Sequence, residues 1–139
     1  MKQANTRQSM EFGLEQRVPR QVGPFSHATK WGDLLFVTGQ MPTVPETDLL
    51  IEGDVVVQTQ QVMRNLQAVV TAAGGDLSNT LMVRAYLTNF GDFDQFNGEY
   101  EKWFDEPRPS RTCVGVTGLA VGALVEIDLI VGLANGAES

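Results

Sequence analysis

One cysteine and one histidine among 139 residues deny this chain several kinds of chemistry. A lone Cys113 cannot close an internal disulfide, which suits a reducing compartment without requiring one. His27 and Cys113 are too few soft ligands for a zinc site, so no metal is expected. Basic residues are also scarce: Lys and Arg number 10 against 17 Asp and Glu, a net charge of −7. Long-range repulsion, with no basic run as a local exception, argues against a nucleic-acid partner. Nowhere do about 18 apolar residues run together, so no membrane-spanning helix is expected. The opening MKQANTRQSMEFGLEQ has no apolar run of the length a secretory leader needs. The expectation is a soluble, cytoplasmic protein. No internal repeat or low-complexity tract is visible, and the length suits one domain that buries roughly two-thirds of its unfolded surface.

What is there divides into an N-terminal extension over residues 1–20 and a single domain over residues 21–135. The first twenty residues are polar, with Met10, Phe12 and Leu14 scattered among them, and read as lying outside the core. Gly23-Pro24 punctuates the entry to the domain. Phe25–Lys30 and Leu34–Thr38, separated by Gly32-Asp33, read as a hairpin. Met41–Gly53 holds two prolines and reads as a loop. Asp54 is a candidate N-cap for a helix to about Ala73, because Val62, Leu66, Val69 and Ala73 recur at helical spacing and Gly74-Gly75 follows. The triplet Val55-Val56-Val57 argues locally for strand instead. Leu81–Thr88 alternates as a strand. A second helix opens at Asp92, with Phe93, Phe96, Tyr100, Trp103 and Phe104 as an aromatic stripe of the kind that builds cores. Asn97 interrupts that stripe and must find a hydrogen bond or cost stability.

The stretch Pro109–Asp128 (PSRTCVGVTGLAVGALVEID) concentrates the chemistry. Prolines 107 and 109 bar a helix before it. Two strands joined by a loop between Gly118 and Gly122 put Arg111, Cys113, Gly115 and Thr117 on one face of the first. The second is apolar at Val125, Ile127, Leu129 and Val131, with Glu126 and Asp128 opposite. Those carboxylates belong either to a solvated sheet face or to a polar pocket that pairs Arg111 with Glu126.

Three segments occur in order over roughly Val22 to Leu133: GPFSHATKWGDLLFVTGQMP, DFDQFNGEYEKWF, and PSRTCVGV followed by ALVEIDLIVG. Together they resemble the signatures of the Rid/YjgF family of small trimeric enamine/imine deaminases. The resemblance implies an α+β, chorismate-mutase-like fold, a mixed β-sheet with two helices packed on one face. It also implies a homotrimer, with pockets between neighbouring subunits. Periodicity by itself predicts only a sheet with one face uncovered, and such faces are often covered by another subunit.

An enzyme acting on a 2-imino acid must hold a carboxylate beside a C=N bond, deliver water and protonate the departing nitrogen. Arg111 sits at the family's carboxylate-binding position, and a guanidinium grips carboxylates bidentately without losing its charge. The resemblance implies backbone donors near Gly39 and Cys113 and assigns the water to Glu126, whose partial burial would raise its pKa. Asn97 matches the family's helix asparagine, with a cap at the core edge as the plainer alternative. Cys113 reads as a pocket-lining residue, since no base lies near it in sequence. Phe25 stands where the family often has Tyr, keeping an aromatic wall but losing a hydroxyl; Thr38 stands where serine is common. His27 reads as structural.

The expected function is therefore a cofactor-independent hydrolytic deaminase that turns 2-imino or enamine acids into 2-oxo acids and ammonia. A narrower alternative is a pathway-specific deaminase of a larger unsaturated amino acid resembling 2-aminomuconate. A rival of another class is a trimeric protein that binds small carboxylates without turning them over; it needs Arg111 but not Glu126. An RNA-directed role sits poorly with the charge.

Overall fold

The long helix starts where Asp54 caps it. The Asp54 carboxylate accepts a hydrogen bond from the Val57 N–H at 3.0 Å, and α1 (Val55–Ala72) follows. Val55-Val56-Val57 is thus helical despite its local preference for strand. Val55 is buried with Val62, Leu66 and Val69 in one core, and that tertiary contact outweighs β-branched propensity. The computed structural model describes residues 6–134; residues 1–5 of the expected extension and residue 135 at the expected domain end lie outside them.

Six strands form one sheet: β1 (Gln8–Met10), β2 (Ala28–Trp31), β3 (Leu34–Gln40), β4 (Thr80–Leu87), β5 (Ser110–Gly115) and β6 (Val125–Gly132). Their spatial order is β1-β2-β3-β6-β4-β5, antiparallel except for the parallel pair β4–β5, so the sheet is mixed. A second helix, α2 (Phe93–Tyr100), forms the crossover between those parallel strands. The β2–β3 hairpin turns at Gly32, whose φ of +59° is a conformation glycine adopts without strain. The two strands of the Pro109–Asp128 stretch are not neighbours, because β4 lies between them.

Both helices cover the same face. Leu35 and Val37 of β3, Val83, Ala85 and Leu87 of β4, and Ile127, Leu129 and Val131 of β6 are buried with Leu66, Phe96 and Tyr100. The opposite face is uncovered in a single chain. It carries Phe36, which is 41% exposed, level with Ile130 and Met82 along one row of paired strands, and Trp31, 49% exposed, paired with Leu34. Further along that face the residues turn polar: Arg84 pairs with Asp128 at 2.8 Å, and Tyr86 lies opposite Glu126.

The N-terminal segment differs from the expectation of an extension outside the core. Gln8–Met10 add an antiparallel strand to β2, and Val18 is buried among the core residues. The tie is His27, 1% exposed: its Nδ1 accepts from the Phe12 N–H at 3.0 Å, and its Nε2 donates to the Pro19 carbonyl at 2.7 Å. A three-residue strand has too few positions to show alternation, and its anchor lies far along the sequence. The next strand begins at Ala28 rather than Phe25, because Phe25 is turned back onto the Gly23 carbonyl.

Candidate functional site

Arg111 and Cys113 lie on the helix-covered face of β5, level with Val83 and Ala85 of β4. The Arg111 guanidinium rests on three rings of the aromatic stripe, 4.8 Å from the centre of Tyr100, 5.4 Å from Phe96 and 5.7 Å from Phe93. Each ring face attracts a cation and holds its orientation. Among the described residues no carboxylate pairs with Arg111. Its exposed edge opens into a depression of about 350 Å³ that Asn97 and Tyr100 also line. The Asn97 Oδ1 and the Tyr100 hydroxyl are buried there with no hydrogen-bond partner among the described residues. Unpaired buried oxygens cost free energy, and both belong to residues that line this hollow beside the Arg111 guanidinium. Burial pushes the Cys113 thiol up by more than the Arg111 charge pulls it down, so Cys113 stays protonated and is a poor nucleophile.

Thr38, Gly39 and Glu126 occupy a different place. Pairing between β3 and β6 slips between Val37 and Gln40, so Thr38 and Gly39 form a bulge opposite Asp128. The Glu126 carboxylate lies directly over the Gly39 α-carbon: a side chain there would collide with its Oε2 and come within 2.9 Å of its Cδ. Only glycine at 39 leaves this carboxylate where it is; any larger residue has to displace it. Burial first, and the charge of Asp128 second, raise the Glu126 carboxyl above the ordinary glutamate range. The Thr38 hydroxyl is already engaged, donating to the Ser26 carbonyl at 2.6 Å. Phe25 is 43% exposed and shares a small recess with Gly39 and His27.

The residues expected at the site thus fall into two groups. Arg111, Cys113 and Asn97 stand on one side of the sheet with the aromatic bed. Glu126 and Gly39 stand on the open side or its bulged edge. A pocket joining Arg111 to Glu126 is not formed within one chain, since the strand registers put them on opposite faces. Residue-by-residue reading could not foresee this, because it requires knowing that β4 separates the two strands.

Sequence reading also missed the side chains that hold this geometry. Asn65 of α1, 1% exposed, donates to the Met41 and Thr43 carbonyls at 3.0 and 2.8 Å, pinning the chain just after Gly39. Gln58 accepts from the Leu124 N–H at 2.8 Å, pinning the entry to β6 just before Glu126. The signal was available: Gln58, Gln61 and Asn65 recur at i, i+3 and i+7 along the buried side of α1, where an amide needs a partner. No group of three or more His, Cys, Asp or Glu among the described residues is arranged to hold a metal, and no helix among them is long and apolar enough to cross a membrane.

A family model described as endoribonuclease L-PSP matches residues 15–133. The RutC family protein y4sK of Sinorhizobium fredii is 45% identical over 115 residues, which is 83% of this chain and 91% of the relative. Among solved structures, RidA from an Antarctic Psychrobacter matches with a TM-score of 0.85 and 34% identity, over 91% of this chain and 99% of that one. The E. coli protein TdcF, crystallised with bound serine, matches with a TM-score of 0.83 and 30% identity, again over 91% and 99%.

Proposed function

The chain belongs to the Rid/YjgF family, and from that premise we propose that it is a hydrolytic deaminase converting 2-imino acids, or their enamine tautomers, to 2-oxo acids and ammonia. The observation that carries this reading is Arg111: a guanidinium held on three aromatic rings, without a carboxylate partner among the described residues, beside the unpaired Asn97 Oδ1. That is an anion anchor with an acceptor next to it, as a carboxylate flanked by an N–H requires. TdcF with serine bound supports it by analogy, serine being a carboxylate beside a nitrogen.

Arg111 and Glu126 lie on opposite faces of the sheet, so one chain cannot supply both to one substrate. We take the site to be shared between copies, with Arg111, Cys113 and Asn97 from one and Phe25, Thr38, Gly39 and Glu126 from its neighbour. The family's trimer would cover the apolar open face around Phe36 and bring the two groups together. In this reading Arg111 holds the substrate carboxylate and Glu126 takes a proton from water. The water oxygen adds to the imine carbon while Glu126 passes that proton to the nitrogen, giving a carbinolamine. Glu126 then moves a further proton from the new hydroxyl to nitrogen, the C–N bond breaks, and ammonia leaves a 2-oxo acid. General acid–base help of this kind gives about 10²–10⁴-fold, enough for imines that hydrolyse readily unaided. The ribonuclease activity in the family model's description is disfavoured by the net charge of −7.

The test is 2-oxo acid release from imines generated in place by an amino-acid oxidase. Acceleration by wild type that vanishes in Arg111→Ala supports the reading; no acceleration across small, branched, aromatic and acidic imino acids overturns it in favour of a specialised larger substrate or a binding protein. Glu126→Gln separates those two classes independently, since it retains binding in both and loses turnover only in the enzyme.

A further inference from the structure

A second guanidinium opens into the hollow that holds Arg111. Arg108 lines it together with Asn97, Tyr100, Glu101, Pro109 and Arg111. Pro109 stands between the two arginines, and its locked φ limits how the backbone can vary their spacing. Tyr100, 5% exposed, also lines the hollow, with its unpaired hydroxyl buried behind the wall. The positive charges of Arg111 and Arg108 both act on that phenol, opposing the rise that burial imposes, so both cations lie within electrostatic reach of one oxygen. The hollow thus gathers two guanidinium groups in a molecule of net charge −7, with Glu101 at its wall and Glu106 paired to Arg108. A single carboxylate on Arg111 leaves the second cation unused.

Arg108 is available for another anion. Its ion pair among the described residues runs from Nη1 to Glu106 Oε2 at 3.0 Å, with the two side chains 40% and 79% exposed. An ion pair that open to water contributes little, and the guanidinium keeps further N–H donors.

We propose that Arg108 forms a subsite for a second carboxylate, so that this chain acts preferentially on short 2-imino dicarboxylates. This rests on the reading of Arg111 as the anchor for the first carboxylate and narrows the substrate class of that site. A dicarboxylate exchanges the solvated pair with Glu106 for a charge-assisted bond in the same hollow as the Arg111 anchor. A monocarboxylate of equal length leaves an alkyl end against Arg108 and gains nothing there.

The experiment compares calorimetric binding of 2-oxoglutarate and 2-oxopentanoate, two product-like acids of equal chain length that differ only in the distal group. The wild-type protein binds 2-oxoglutarate about tenfold more tightly. Arg108→Gln brings the ratio of the two affinities close to one, and Arg108→Lys restores part of it. Equal affinities in wild type, or an unchanged ratio in Arg108→Gln, overturn the dicarboxylate subsite and leave the Arg111 anchor standing. Wild type that binds neither acid, or Arg111→Gln that binds both as tightly as wild type, overturns the anchor and the subsite together.

Discussion

The Glu126 carboxylate lies over Gly39, and that contact makes two residues answerable to one measurement. Adding a single methyl in Gly39→Ala pushes the carboxylate away from its position. Displacements of about 1 Å can cost roughly a hundredfold in rate, so kcat should fall by about ten- to a hundredfold while the fold persists by circular dichroism. The raised Glu126 pKa gives a second expectation at this scale. As the base of the proposed reaction Glu126 would work only when ionised, so kcat/KM is expected to fall as pH falls through the raised value, with the acidic limb above that of an ordinary glutamate. Glu126→Gln should remove that limb along with about 10²–10⁴-fold of the rate. Stability runs the other way. The folded chain holds this proton more tightly than the unfolded one, so the contribution of Glu126 is full below the unfolded value and lost as pH rises through the raised one.

At the scale of elements, α1 does two jobs with one face. Its valines and leucine build the core, while Gln58 and Asn65, buried among them, hold the backbone on either side of the Gly39–Glu126 contact. Asn65→Ala strands two buried carbonyls, and urea denaturation should show a loss of about 2–3 kcal/mol. Asn65→Asp should do no better, because an ionised carboxylate cannot donate to a carbonyl. The second helix is similarly double in purpose. Its aromatic stripe reads in sequence as core, and Phe96, Tyr100 and the following Phe104 are core. The same rings are also the bed on which Arg111 lies, a role that periodicity cannot distinguish from simple packing.

For the whole molecule, a shared site has a consequence that a self-contained one lacks. Arg111→Ala and Glu126→Gln chains are each expected to be inactive. Co-expressed, they form mixed assemblies in which an intact Glu126 from one chain meets an intact Arg111 from another, and a fraction of activity returns. Two inactive variants that stay inactive when their mixed assembly is verified by mass would place the whole site in one chain. Sedimentation of the wild-type protein should give three times the chain mass of 15.2 kDa. Phe36→Glu, at the centre of the open apolar face, should shift that equilibrium toward the single chain.

Much of this protein was legible in the order of its residues. The alternation of Val125, Ile127, Leu129 and Val131, the cap at Asp54 and the stripe through Val62, Leu66 and Val69 each report a local period, and a strand or helix expresses its period wherever it lies. The three collinear signatures likewise pointed to the family and to Arg111, Cys113, Asn97 and Glu126 as residues of interest. Which of them meet was decided only by tertiary structure. Inserting β4 between β5 and β6 set Arg111 and Glu126 on opposite faces, and a face assignment between strands depends on pairing register, which no single segment contains. The short β1 and its tie through His27 escaped for the same reason: their evidence is a contact between residues far apart in the chain.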